Sequence, residues 1–101
     1  MPFRCFLEEK SMKVIKIGAV WCSGCLVMRP RWQEIEKENP WLKTEYYDFD
    51  QDQKKVGKYL VENENLPIFI FLDKQGNEFL RIHGEPSKAD LMKIIMENKD
   101  K

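Results

Sequence analysis

The 101-residue chain reads as one α/β domain spanning residues 1–101, a mixed sheet sandwiched between helices. Three observations predict this class. Strand-like and helix-like segments alternate from Val14 to Leu60. The apolar run Ile68-Phe69-Ile70-Phe71-Leu72 then leads through Gln75-Gly76-Asn77 into a hairpin, and a capped amphipathic segment follows it.

Taken in order, Pro2 to Lys10 places Phe3, Phe6 and Leu7 at helical spacing and predicts a short helix. Val14 to Val20 is rich in β-branched residues and apolar on both faces except at Lys16, which suits a central strand covered on each side. From Cys22 onward Cys25, Met28, Trp32, Ile35 and Glu36 recur at helical spacing until Asn39-Pro40. Pro30 inside this helix removes one backbone hydrogen bond, so packing or function must offset the loss, and a kink is expected. Thr44 to Phe49 reads as a second strand, and Asp50-Gln51-Asp52 supplies turn and cap residues for a helix carrying Val56, Tyr59 and Leu60. The strand Ile68–Leu72 returns as Glu78 to Ile82, and Ser87 with Asp90 three residues on caps a final helix bearing Leu91, Ile94 and Ile95.

Composition narrows the function classes. Seventeen basic and seventeen acidic residues leave no net charge, which argues against a broad nucleic-acid or membrane-surface role. Charged residues interrupt every apolar stretch in the first twenty positions, so neither a signal peptide nor a membrane span is expected there. Three cysteines, an odd number, fit a reducing cytoplasmic setting, with a trimmed exported form as the alternative.

The chemistry concentrates in Trp21-Cys22-Ser23-Gly24-Cys25, where the first apolar strand gives way to the long helix. A Cys-x-x-Cys pair at a strand-to-helix junction sets its first sulfur at a helix N-terminus. Unpaired backbone N–H groups and the helix dipole there favour the thiolate, the form that attacks disulfides. Half of a metal knuckle, or two buried thiols, is the alternative reading of the pair. Adding Cys5 and His83 gives enough ligands for tetrahedral zinc, although only Cys22 and Cys25 have a zinc-like spacing. Cys5 otherwise reads as a bystander thiol, His83 as a surface residue at a strand end, Trp32 and Trp41 as packing residues, and Glu34 to Glu38 as a mostly solvated helix face.

From Val14 onward the chain resembles the thioredoxin family. Four features carry the likeness: Trp21-Cys22-x-x-Cys25 after a buried strand, Pro30 five residues past the second cysteine, Leu66-Pro67 opening an apolar strand, and Gly84 closing the hairpin. The resemblance implies the thioredoxin fold, a central mixed sheet of four strands, or five if the N-terminal region adds one, flanked by helices. It implies thiol–disulfide exchange with protein disulfides, chiefly as a reductase, with no bound cofactor and with a reductase such as a thioredoxin reductase restoring the dithiol. It further implies that Cys22, as the more exposed sulfur, attacks the substrate disulfide and that Cys25 resolves the mixed disulfide. Pro67 is expected to be cis and to lie against the cysteines, with Trp21, Leu66, Pro67 and Gly84 forming a shallow groove for an extended peptide. A metal-binding module, or a redox-silent interaction scaffold on the same fold, is the alternative function.

Two departures from the family pattern stand out. Ser23-Gly24 replaces the usual Gly-Pro between the cysteines and leaves the first helical turn less preorganised. Lys16 stands where a buried aspartate is usual, and so reverses the charge. It is a candidate for tuning the thiol pKa values, either by favouring both thiolates or as a base, unless it extends to solvent and does nothing chemical.

Overall fold

The computed structural model describes residues 12–59 and 66–100. The helix expected over Pro2 to Lys10, with Cys5 in it, lies outside the described residues, as do Leu60 and Asn63-Glu64-Asn65. The elements run β1 (Lys13–Gly18), α1 (Ser23–Glu38), β2 (Lys43–Asp48), α2 (Gln53–Gly57), β3 (Ile68–Leu72), β4 (Glu78–His83) and α3 (Lys88–Glu97). The described strands form a four-stranded sheet in the order β2-β1-β3-β4. β1 pairs parallel with β2 and antiparallel with β3, and β3 pairs antiparallel with β4.

Alternation along the two central strands divides the core into two layers. Val14 of β1 and Phe69 and Phe71 of β3 join Met28, Trp32 and Ile35 of α1 and Leu91 and Ile95 of α3 on one face. Ile15 and Ile17 of β1 and Ile68, Ile70 and Leu72 of β3 pack with Val56 of α2 on the other. All five residues of β3 are buried, as befits a strand covered on both faces. Its continuous apolar run is therefore a consequence of position, and it leaves no polar face to mark the strand's orientation.

Local chemistry fixes the element ends. β1 ends two residues before the apolar run does, because Phe49 N–H donates to Gly18 O at 2.7 Å and Cys22 N–H donates to Ala19 O at 3.2 Å, turning the chain and leaving Val20 80% exposed. α1 runs unbroken through Pro30, which lies on its exposed side one turn beyond the exposed Leu26. The carbonyl released by the missing N–H is thus on the wetter side of the helix, where its loss is least costly. Asn39 closes α1 by donating from its backbone and side chain to Ile35 O at 3.0 and 2.8 Å.

α2 is shorter than the apolar pattern predicts: Val56 lies within it, while Tyr59 lies beyond its end at Gly57. Asp52 occupies its N-cap without capping it, since its carboxylate accepts from Asp48 N–H at 2.8 Å. The loop before α2 is organised instead by the buried Asp48, which accepts from the N–H groups of Asp50 and Gln51 at 2.8 and 3.0 Å. Ser87 caps α3 by accepting from Asp90 N–H at 3.1 Å. The glutamate-rich segment of α1 is paired across helices and not only locally: Lys88 of α3 bridges Glu34 at 3.1 Å and Glu38 at 2.7 Å.

Because Phe71 is fully buried at the centre of the larger layer, Phe71→Ala is expected to lower unfolding stability by about 3–5 kcal/mol. Urea unfolding checks this: the midpoint should fall with little change in slope.

Candidate active site

The turn after β1 and the first turn of α1 carry the two cysteines. Cys22 is the N-cap of α1, with extended backbone, and its sulfur accepts the backbone N–H of Cys25 at 3.2 Å. The pair is joined as a disulfide, with a Cα–Cα distance of 5.3 Å. One sulfur therefore meets the orphan donors of the helix start directly, which favours its thiolate once the disulfide opens.

Taken as whole residues, Cys22 is buried, at 7% exposure, and Cys25 is half-buried. On the sheet side of α1 a cavity of about 290 Å³ is lined by both Cys25 and Pro67. Lys16, Gly18, Arg29, Trp32, Glu36 and Tyr46 share its lining.

Two glycines let the dithiol approach the sheet this closely. A Cβ on Gly18, at the end of β1, would stand 2.7 Å from Cys25 Sγ and 3.2 Å from the Tyr46 hydroxyl. A Cβ on Gly24 would stand 2.9 Å from Glu85 Oε2 and 3.1 Å from Pro67 Cδ. A methyl at Gly24 would press on the Pro67 ring, while the Glu85 carboxylate, at the end of a flexible side chain, could move away. The Leu66–Pro67 peptide bond is cis, and Pro67 O accepts the N–H of Gly84 at 2.9 Å. Gly84 holds φ at +97°, a conformation that side-chain-bearing residues rarely adopt. The hairpin end is thereby fastened to the residue that abuts α1. Leu66 is half-buried against the smaller core layer.

Trp21 is 53% exposed, and its indole N–H donates to Asp50 Oδ2 at 2.7 Å, which ties the ring to the loop after β2. Val20, Leu26 and Val27 are also exposed near the dithiol. These three extend the apolar surface: Leu26 and Val27 lie off the buried stripe of α1, and Val20 ends the apolar run that begins in β1. Apolar residues off that stripe were the available signal.

Lys16 neither extends freely to solvent nor stands as an isolated charge. Its ammonium lies 2.5 Å from Glu36 Oε2, with side chains 18% and 31% exposed, and 5.7 Å from the Trp32 ring centroid. Thr44 Oγ1 donates to the same Glu36 oxygen at 2.9 Å. Glu36, expected to lie mainly on a solvated face, instead turns toward the sheet and compensates the lysine. Tyr46, opposite Lys16 on β2, has its pKa raised, first by burial and then by the charge of Asp48. Its hydroxyl therefore keeps its proton well past neutral pH and remains a donor near Cys25.

His83 is exposed at the end of β4, as expected. Among the described residues no group of three or more His, Cys, Asp or Glu could hold a metal ion, and no helix is long and apolar enough to cross a membrane.

With this geometry in view, comparisons with known proteins converge on one family. The family model described as Thioredoxin matches residues 4–97. Thioredoxin H-type 1 of Nicotiana tabacum is 28% identical over 96 residues, covering 95% of this chain and 73% of that protein. Fasciola hepatica thioredoxin superposes with a TM-score of 0.81 at 27% identity, covering 91% of this chain and 85% of that one. A thioredoxin of Nicotiana alata gives a TM-score of 0.79 at 22% identity, over 98% and 88% of the two chains. The chain belongs to the thioredoxin family and is a thiol–disulfide oxidoreductase.

Proposed function

We propose that Cys22 and Cys25 are the redox-active pair and that the protein works as a reductase of protein disulfides. The observation that carries this is the N-cap position of the Cys22 sulfur, held by the Cys25 N–H. Thiolate stabilisation, and not exposure in the oxidised state, selects Cys22 as the nucleophile.

The Cys22 thiolate attacks a substrate sulfur, forming a mixed disulfide and releasing the other substrate sulfur as thiolate. Cys25, one turn along the helix start, then attacks Cys22 Sγ and releases the second substrate thiolate. The substrate gains two electrons and the Cys22–Cys25 disulfide forms. Restoring the dithiol requires an external donor, for which a reductase such as a thioredoxin reductase is the expected partner.

The exposed Trp21, with Leu66, Pro67 and the Gly84 turn beside it, supports a groove for an extended peptide containing the disulfide. The backbone of Leu66 is suited to pair with such a peptide. Val20, Leu26 and Val27 widen this apolar rim. Lys16 acts on the thiols as one half of a neutralised pair with Glu36, so its influence is smaller than that of a lone buried cation. A cytoplasmic setting accords with a dithiol that must be kept reduced between turnovers.

Reduction of insulin disulfides by the dithiothreitol-maintained protein tests the assignment. Cys22→Ser should bring the rate to the uncatalysed background. Cys25→Ser, pre-reduced and then freed of dithiothreitol, should instead accumulate a covalent adduct with the substrate through Cys22, visible by non-reducing electrophoresis and mass spectrometry. Retained turnover in Cys22→Ser would overturn the assignment.

Gly18→Ala separates the oxidised and reduced forms. Its added methyl meets a Cys25 sulfur that the disulfide holds fixed, whereas a free Cys25 side chain can rotate away. Overpacking costs about 1–3 kcal/mol, which corresponds to a reduction potential roughly 20–65 mV higher. Equilibration with a thiol redox buffer should show this rise, and the oxidised variant should lose more thermal stability than the reduced one.

A further inference from the structure

The groove at the dithiol carries a charge that the exchange chemistry does not use. Glu85 follows the Gly84 turn, and its Oε2 stands 2.9 Å from the point where a Cβ on Gly24 would lie, a point that is also 3.1 Å from Pro67 Cδ. The carboxylate thus borders both the residue between the two cysteines and the ring of the cis proline. We propose that Glu85 selects protein disulfides in which a lysine or arginine stands beside the cysteine. That selection rests on the reductase reading above and names the substrate class of the same site.

Several observations single out this carboxylate. Glu85 is exposed, and among the described residues it takes part in no ion pair and no side-chain hydrogen bond. The Asp50 carboxylate, by contrast, is engaged by the Trp21 indole N–H at 2.7 Å. Basic residues around the turn leave the charge of Glu85 unmatched. Arg31, two turns of α1 beyond Gly24, donates to Pro86 O at 2.7 Å and forms no ion pair with Glu85. Lys88 is held by Glu34 and Glu38. His83, before the turn, adds no formal charge at pH 7.

An extended peptide lying along Leu66 and Pro67 advances about 3.3 Å per residue. The residues next to its cysteine therefore pass within reach of a carboxylate set beside Pro67, and the flexible Glu85 side chain can turn to meet them. A lysine or arginine there gains a partner, whereas an aspartate or glutamate meets a like charge. This acts on encounter and docking, and the sulfur chemistry is unchanged. A carboxylate near the start of α1 also interacts favourably with the helix dipole. That interaction is indifferent to the charge of the substrate, so a comparison of differently charged substrates separates the two roles.

The test uses the pre-reduced full chain, freed of dithiothreitol, and a symmetric disulfide made from two copies of a short single-cysteine peptide, so that attack at either sulfur is equivalent. Three versions carry lysine, glutamine or glutamate on both sides of the cysteine. Release of the peptide thiol is timed for the wild type, Glu85→Gln and Glu85→Lys, changes at an exposed position that the fold should tolerate. Neighbouring charges alter a disulfide's own reactivity, so the quantity read is the lysine-to-glutamate rate ratio, compared between proteins. That ratio should be about fivefold lower in Glu85→Gln than in the wild type, the effect of roughly one exposed charge interaction, and lower again in Glu85→Lys. Added salt should shrink the difference. Equal ratios in the three proteins would overturn the proposal and leave protein-disulfide reduction standing. Failure of the wild type to reduce any of the peptides, or insulin, would overturn the reductase reading and the selection with it.

Discussion

The close approach of the first turn of α1 to the sheet is the constraint on which the site depends. Gly18 makes it possible at the sheet end, because a side chain there would enter the space of Cys25 Sγ, and Gly24 faces the Pro67 ring from the helix. With both side chains absent, Cys22 caps the helix, Cys25 packs over the end of β1, and Pro67 lies against the helix start. Gly84 completes the arrangement by donating its N–H to Pro67 O. The buried central strands β1 and β3 hold these pieces in place, since both the β1–α1 turn and Pro67 are direct extensions of them.

The charge arrangement behind the dithiol differs from the family's usual one in kind. A lysine on the sheet is matched by a glutamate from the helix, and a threonine from β2 donates to that same carboxylate. An ion pair only partly withdrawn from water, as here, exerts a weaker field on nearby sulfurs than a lone buried charge would. The Cys25 backbone N–H donates to the Cys22 sulfur, and the Tyr46 hydroxyl and Cys25 Sγ both border Gly18.

Much of this was legible in the sequence. The all-buried strand Ile68–Leu72 and the Ser87 cap of α3 were predicted at the residues where they occur, because a continuous apolar run and a cap–Asp pattern are local signals. The Trp21-Cys22-x-x-Cys25 motif marked the site for the same reason. Long-range pairings were not legible: helical spacing sets Glu36 beside the apolar stripe of α1, but its partner Lys16, 20 residues away, is known only once β1 is placed against the helix. The role of Gly24 likewise depends on Pro67, and the cavity beside Cys25 is shared by three strands and a helix. α2 fell short of its apolar pattern because periodicity does not register where Gly57 ends a helix.

A redox titration of the intact chain in a dithiothreitol buffer, followed by tryptophan fluorescence, tests the central claim most directly. Trp21 adjoins Cys22 and is fixed by Asp50, so it should report the state of the pair. The account predicts one reversible two-electron transition, a tenfold change in the dithiol/disulfide ratio for about every 30 mV, that is lost in Cys22→Ser. The absence of any transition, or a transition that persists in Cys22→Ser, would contradict it.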